Sequence, residues 1–200
     1  MSRLVLERIY YPVLTLGYGK RIGVWVRGCA RGCPECISPE LQTYEGREIE
    51  VEEITRRIPK DLSVDGLTIS GGEPFDQSEG IAELVRWFEK NYGGDILIFT
   101  GYTYEELVSR EDKSIQDILG RIAVLVDGPY VAGLNNGIGL RGSANQRLII
   151  RKFQERYADA ECWERKVQFV GEGDSLIQIG IPPAEFRPDT EDTLKGNEEQ

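Results

Sequence analysis

Short apolar runs alternate along the chain with segments whose apolar residues recur at helical spacing. The runs predict strands, because each is short and is bounded by glycine, proline or polar residues. The predicted strands span residues 22–26, 66–70, 95–100 and 122–126, and further apolar runs follow at residues 148–150, 167–170 and 176–181. Helices are predicted over residues 50–58, from Ser78 to about Gly93, from a capping box at Thr103, and over residues 114–119.

The alternation of strands and helices favours βαβ units with a parallel sheet and right-handed crossovers. About six strands are too few for a closed eight-stranded barrel, which leaves an open, partial barrel or a doubly wound sheet. In both architectures the active site lies just past the C-terminal ends of the strands. These positions hold Cys29, Gly71-Gly72-Glu73, Thr100-Gly101 and Asp127. We therefore expect these residues on one rim of the sheet.

The bulk composition indicates one acidic domain. The 200 residues suffice for a single core. We assign residues 1–183 to this domain and expect the acidic residues 184–200 to form a loose tail. The net charge of −10 argues against a nucleic-acid partner, which needs stripes of lysine and arginine. No stretch approaches the ~20 apolar residues of a membrane span, and no signal peptide is found, so we expect a cytoplasmic protein without membrane contact.

Three of the four cysteines, Cys29, Cys33 and Cys36, form the spacing C-x3-C-x2-C. In a reducing compartment, cysteines this close are more often metal ligands than disulfide partners. The chain has no histidine, which excludes His-containing zinc sites and Ser-His-Asp or Cys-His catalysis. Three thiolates on one loop can bind three irons of a 4Fe–4S cluster and leave the fourth iron open to a small molecule.

The spacing alone leaves other interpretations open. Cys162 as a fourth ligand would give a closed structural or electron-transfer site. A structural zinc site usually pairs two C-x2-C elements, and this chain has one. Three reduced thiols without a metal are a further alternative.

A second motif, Ser70-Gly71-Gly72-Glu73-Pro74, follows a predicted strand one β/α unit after the cysteines. Glycines allow the backbone to approach a ligand closely. Peptide carbonyls and the Glu73 carboxylate can accept hydrogen bonds from an ammonium group. Alone, the motif is typical of a turn after a strand, but its place after the cysteine loop favours a ligand-binding site.

Together these motifs resemble the radical S-adenosylmethionine (SAM) superfamily. Within it, the chain is similar to the activating enzymes of anaerobic ribonucleotide reductase, a branch of the glycyl-radical-enzyme activases. The likeness extends from about Gly23 to Pro182. Besides the two motifs, it rests on residues 39–41, 100–107, 126–128 and 140–147.

The resemblance implies a fold and a set of ligands. The fold would be an α/β, open partial (β/α) barrel of about six mostly parallel strands. Cys29, Cys33 and Cys36 would hold a 4Fe–4S cluster whose fourth iron is chelated by SAM. The implied cofactor-binding residues are Gly71, Gly72, Glu73, Pro74, Thr100 and Asp127. From the residues alone, Asp127 could equally cap a turn with Gly128 and Pro129.

The resemblance also implies a reaction and its partners. An electron from reduced flavodoxin or ferredoxin would lead to cleavage of SAM into methionine and a 5′-deoxyadenosyl radical. That radical would take a hydrogen atom from a glycine of a glycyl radical enzyme, anaerobic ribonucleotide reductase being the first candidate. The alternatives are another protein, a peptide or a small molecule as target, or a non-catalytic 4Fe–4S electron-transfer protein.

Two positions depart from the family pattern. Glu35 stands directly before the third cysteine, where this branch often has glycine and the superfamily an aromatic residue. Glu73 stands where the branch often has aspartate, a change that keeps the carboxylate. The resemblance assigns no role to Cys162 or to the acidic tail.

Overall fold

The centre of the protein is a mixed sheet of seven strands, in a computed structural model that describes residues 2–173 and 175–183. The strands are β1 (Arg3–Val13), β2 (Arg21–Val26), β3 (Glu48–Glu50), β4 (Gly66–Gly71), β5 (Asp95–Phe99), β6 (Val124–Asp127) and β7 (Arg147–Ile150). Their order across the sheet is β3-β1-β2-β4-β5-β6-β7. β2, β4, β5 and β6 are parallel, whereas β1, β3 and β7 run antiparallel to their neighbours.

The structure confirms the expected α/β architecture with a parallel centre and differs at the edges. β1 and β3 were not predicted and belong to the central sheet, which has seven strands rather than about six. The apolar runs at residues 167–170 and 176–181 form a separate two-stranded sheet. β7 is antiparallel to β6 because residues 128–146 reverse the chain without an α-helix and contain only the 3-10 turn Ala132–Leu134. The predicted tail, residues 184–200, lies outside the described residues.

Helices lie on both faces of the sheet. On one face lie α1 (Val51–Arg56), α2 (Ser78–Asn91), α3 (Tyr104–Ser109) and α4 (Lys113–Arg121), and on the opposite face lies the short α5 (Gln154–Tyr157). The capping box of Thr103 and Glu106 is confirmed. Ser78 is the first residue of α2 rather than its cap, and Gly120 lies inside α4 rather than ending it. No helix within the described ranges has the length and apolar character needed to cross a bilayer.

The two faces of the strands pack against different layers, as the alternation of side chains in a strand requires. On β5, Ile96 and Ile98 join the large core that α2 and α4 cover. Leu97 and Phe99 point to the opposite face and pack in two smaller clusters. These clusters lie under α5 and under a separate hairpin of β8 (Val167–Glu172) and β9 (Ser175–Gly180).

A buried polar network closes the end of the sheet where β2, β4 and β5 begin. Arg21 and Asp95 are fully buried and form an ion pair with Nη2 and Oδ1 2.7 Å apart. Arg21 also donates to Thr68 Oγ1 (2.6 Å) and to the Tyr157 hydroxyl (3.1 Å). Because β2, β4 and β5 are parallel, this network lies at the end of the sheet opposite to the rim that carries the cysteines.

Candidate functional site

A pocket of about 210 Å³ opens at the C-terminal ends of the parallel strands. Its lining includes the expected residues Cys29, Cys33, Cys36, Gly71, Gly72, Glu73 and Thr100. Pro74 and Asp127, which belong to the same predicted set, are not among the lining residues. The structure therefore brings the cysteine loop, the glycine motif and the end of β5 together on one rim.

The cysteine loop leaves β2 and is held by backbone contacts to the segment that follows it. The Gly28 amide donates to the Leu41 carbonyl (2.8 Å), and the Cys29 amide donates to the Gln42 carbonyl (3.0 Å). All three thiols are half-buried. Burial raises the pKa of the Cys29 thiol, and the Glu73 and Asp76 carboxylates raise it further. In the ligand-free fold this thiol is therefore protonated at neutral pH, and metal binding must displace the proton.

Glu35 adopts a left-handed backbone conformation, with φ of 55°. Glycine reaches this region without the steric conflict that a Cβ creates, which costs other residues roughly 1–2 kcal/mol. Glu35 is therefore a strained residue of the cysteine loop, at the position where the resemblance leads us to expect glycine.

The three cysteines line one pocket, but their thiols do not converge on a position where one metal ion could bind all three. Within residues 2–173 and 175–183, no three Cys, Asp or Glu side chains are gathered as ligands of one metal ion. The thiolates of a 4Fe–4S cluster bind different irons, so they do not share one ion. A sulfur-only donor set with three members suits such a cluster.

Gly71 and Gly72 let the end of β4 pack against the start of the cysteine loop. A Cβ on Gly72 would lie 2.2 Å from the Gly28 carbonyl oxygen and 2.7 Å from that of Leu41. Gly71 has φ of 112°, and its Cβ would lie 2.2 Å from the Val26 carbonyl oxygen. The two glycines, expected from the sequence to admit a ligand, are therefore also required by backbone packing.

Gly72→Ala is expected to destabilise the fold by about 1–3 kcal/mol, because the new methyl group must displace two backbone carbonyls. Thermal unfolding of the purified protein measures this loss. Gly133→Ala is the matched control, since a Cβ there meets nothing within 4 Å. Equal melting temperatures for the two variants would contradict the packing role of Gly72.

Glu73 is fully buried, yet it is among the residues that line the pocket. It accepts hydrogen bonds from the Phe75 amide (3.0 Å), the Thr100 hydroxyl (2.9 Å) and the Gly101 amide (2.8 Å). All three donors are neutral, and burial raises the pKa of Glu73 to about 7. A buried carboxylate with neutral donors at the wall of a pocket suits a ligand that brings a positive charge.

Comparison with known proteins decides the family. The family model described as a 4Fe–4S single cluster domain matches residues 15–149, which include the three cysteines and the glycine motif. Anaerobic ribonucleoside-triphosphate reductase-activating protein of Enterobacteria phage T4 is 30% identical over 148 residues, covering 71% of this chain and 91% of that protein. Proteins of the same name from Salmonella typhi (29%) and Escherichia coli K12 (31%) each cover 68% of this chain and are covered to 93%.

The chain belongs to the family of anaerobic ribonucleoside-triphosphate reductase-activating proteins. The resemblance inferred from the motifs is thereby confirmed, and the chain is a 4Fe–4S protein of the activating-enzyme type. Cys162 is exposed, is not among the residues that line the pocket, and lies beyond the matched residues.

In this activating-protein fold Asp127 is fully buried and holds three elements together. Its carboxylate accepts from the Tyr104 amide (2.7 Å) and from Arg147 Nε (2.9 Å), and Arg147 also pairs with Glu105 (2.7 Å). These contacts fix the start of α3 and the start of β7 at the end of β6. The contacts of Asp127 are thus with neighbouring elements of the protein, and it is the next residue, Gly128, that lines the pocket.

Several pocket residues were missed by the sequence analysis. They include Trp25, Phe99, Gln146 and, from β9 and its end, Gln178, Ile179, Gly180 and Ile181. Gln146 lies in residues 140–147, a segment that carries part of the resemblance, and its amide group donates to the Gly128 carbonyl (2.9 Å). Nothing in the sequence near β9 indicates that this strand lines the pocket, because its position depends on how the hairpin packs against Trp25 and Phe99.

Proposed function

We propose that the protein is a radical SAM activating enzyme that cleaves SAM reductively at a 4Fe–4S cluster and generates a glycyl radical on anaerobic ribonucleotide reductase. The observation that carries the proposal is the single pocket shared by three cysteines and a buried carboxylate, in a chain of the 4Fe–4S activating-protein family. The proposal includes an open partial (β/α) barrel, a cytoplasmic location and an electron supply from flavodoxin or ferredoxin.

Cys29, Cys33 and Cys36 are the proposed iron ligands. Each thiolate would bind one iron, and the fourth iron would be open to SAM. The backbone contacts of Gly28 and Cys29 to residues 41–42 hold the first ligand, while the Gln42 side-chain amide donates to the Cys33 carbonyl (3.3 Å) and holds the second. A cluster held there would supply the electron for reductive cleavage of the bond between sulfur and the ribose C5′ of SAM, which would give methionine and the radical that acts on the glycine.

Glu73 is the proposed acceptor for the amino group of SAM. Thr100 and Gly101 donate to its two oxygens and so fix the carboxylate at the pocket wall. Pro74 opens the turn Pro74–Gln77, which places the Phe75 amide on the same carboxylate.

The remaining walls would receive the rest of SAM. Gly71 and Gly72 present bare backbone to the ligand. Asp127 acts one step away, because it fixes the strand end that carries Gly128. Trp25, Phe99 and Ile179 form the apolar side of the pocket and keep water from the reacting atoms.

The raised pKa of Glu73 makes SAM binding dependent on pH. Below about pH 7 the carboxyl takes up a proton, and the dissociation constant of SAM is expected to rise roughly tenfold per pH unit. In the ligand-free fold, the stability contributed by Glu73 is complete below its ordinary pKa of 4.5 and is lost as the pH rises through about 7. Calorimetric titration of the cluster-loaded protein with SAM at several pH values measures the first effect.

Glu73→Gln is expected to weaken SAM binding roughly 10- to 100-fold at neutral pH and to flatten the pH profile. Glu45→Gln is the matched control, because Glu45 is exposed. An unchanged pH profile in Glu73→Gln would show that another group senses the proton.

The activation itself is tested by anaerobic incubation of the reduced, cluster-loaded protein with SAM and the anaerobic reductase. Electron paramagnetic resonance (EPR) of the reductase is expected to show a glycyl radical that requires SAM. Cleavage of SAM without any radical on the reductase would indicate that the target is a different protein, a peptide or a small molecule. A cluster that is reduced but never cleaves SAM, with or without the reductase, would favour electron transfer.

A further inference from the structure

Asp76 connects the two motifs of the site although it belongs to neither. It lies in the turn Pro74–Gln77 that follows the glycine motif. Its Oδ2 accepts hydrogen bonds from the Ala30 amide (2.8 Å) and from the Tyr44 hydroxyl (3.1 Å), and its Oδ1 accepts one from the Tyr102 hydroxyl (2.7 Å). One carboxylate thus joins the cysteine loop, the segment after it and the loop that follows β5.

The two tyrosines are themselves held against the cysteine loop. A Cβ on Gly28 would lie 2.1 Å from the ring of Tyr44, so this ring covers the residue before Cys29. Arg31, two residues after Cys29, lies with its guanidinium carbon 4.8 Å from the centre of the Tyr102 ring. Burial and the Asp76 carboxylate raise the pKa of Tyr44 to about 12, which keeps its hydroxyl a hydrogen-bond donor.

The contact between Asp76 and Ala30 bears directly on the first cysteine. The Cys29 amide is held by the Gln42 carbonyl, and the next amide in the chain is held by Asp76. The backbone on both sides of the Cys29 carbonyl is therefore anchored, once to the segment after the cysteines and once to the turn after Glu73. Without Asp76, the second anchor is lost. The loop then keeps its attachment to residues 41–42 and the hydrogen bond from the Glu73 amide to the Gly28 carbonyl (2.8 Å), which lies before Cys29 and does not hold the amide that follows it.

We propose that Asp76 is a positioning residue that fixes Cys29 and its loop relative to the turn carrying Glu73. This inference rests on the proposed function: Cys29 would set the place of the cluster and Glu73 the place of the SAM amino group. Asp76 and the hydrogen bond from the Glu73 amide to the Gly28 carbonyl together set the distance between them. A SAM molecule that must reach both the open iron and Glu73 binds well only when that distance is correct. Asp76 itself is not among the residues that line the pocket.

The test compares four forms of the cluster-loaded protein: wild type, Asp76→Ala, Asp76→Asn and the control Glu79→Gln. Glu79 is exposed and lies three residues beyond Asp76, so its variant removes the same charge without touching the cysteine loop. Asp76→Asn keeps one acceptor oxygen for the Ala30 amide, and the Tyr102 hydroxyl can accept from the new amide group. The conservative variant should therefore restore much of what alanine loses.

Two readouts separate positioning from a general loss of structure. Hydrogen–deuterium exchange of the peptide covering residues 28–36 is expected to quicken about tenfold in Asp76→Ala, with unchanged exchange in α2. The second readout is the EPR spectrum of the reduced cluster, which is expected to change when SAM binds. The SAM concentration at half of the maximal change is expected to rise about tenfold in Asp76→Ala and less in Asp76→Asn. Tyr102→Phe, which removes one hydrogen bond of Asp76, provides a milder variant should alanine fail to fold.

The outcomes distinguish this inference from the proposed function. A wild-type cluster whose spectrum ignores SAM would overturn the proposed function and the role of Asp76 with it. A wild type that responds to SAM, with Asp76→Ala and Tyr102→Phe indistinguishable from Glu79→Gln in both readouts, would overturn the role of Asp76 alone.

Discussion

Replacement of Cys29, Cys33 or Cys36 by alanine is expected to remove the 4Fe–4S cluster and, with it, the formation of 5′-deoxyadenosine. The loop supplies three thiolates to one pocket, so each variant leaves two ligands for a cluster that needs three. The loss should exceed the roughly 100-fold decrease in metal affinity or activity that follows mutation of outer-shell partners. Iron and sulfide analysis after anaerobic reconstitution measures the first effect, and chromatography of the SAM products measures the second.

Cys162→Ala is the control for these three variants. Cys162 is exposed and is not among the residues that line the pocket, so its variant should retain the cluster and the activity. Loss of the cluster in Cys162→Ala would instead indicate a closed site with four cysteine ligands, which leaves no iron for SAM.

Asp95→Asn is expected to destabilise the fold by about 3–5 kcal/mol, since it leaves the fully buried Arg21 without its carboxylate. The other partners of Arg21 are the hydroxyls of Thr68 and Tyr157 and backbone carbonyls, which carry no charge. For a domain of this size, the melting temperature should fall by roughly 10 °C. Thermal unfolding under anaerobic conditions measures the change.

Two further variants test the cause of this effect. Glu52→Gln breaks an exposed ion pair with Arg56 and is expected to cost under about 1 kcal/mol. The double variant Arg21→Met, Asp95→Leu removes both charges and should be more stable than Asp95→Asn. A double variant as unstable as the single one would show that packing, rather than an unpaired charge, governs this region. Cluster content at low temperature should not change, because the pair lies at the far end of the strands.

The parallel centre of the fold could be predicted because each of its strands is a short apolar run. Ile22 to Val24, Val26 and Gly66 to Ile69 are buried, so their hydrophobic character is enough to identify the strands. β1 (Arg3–Val13) escaped prediction because it interleaves charged and aromatic residues, and most of its side chains are only half-buried. The direction of β7 could not be predicted either, since it depends on the path of residues 128–146.

The candidate site could be predicted where its chemistry is local in sequence. The cysteine spacing and the glycine motif each carry their signal within a few residues, and both line the pocket. The partners of Asp127 and Asp76 could not be predicted, because Arg147 is 20 residues from Asp127 and Ala30 is 46 residues from Asp76. Hydrogen bonds between residues so far apart in sequence depend on how whole helices and strands pack. That packing cannot be inferred from the identity of the residues alone.

Reductive cleavage of SAM is tested most directly by the yield of 5′-deoxyadenosine from the reconstituted, anaerobically reduced protein. The proposed function predicts that SAM is converted to 5′-deoxyadenosine and methionine in equal amounts, and that each of the variants Cys29→Ala, Cys33→Ala and Cys36→Ala forms neither. A protein that holds a fully reduced 4Fe–4S cluster and leaves SAM intact, both alone and with anaerobic ribonucleotide reductase, would contradict it.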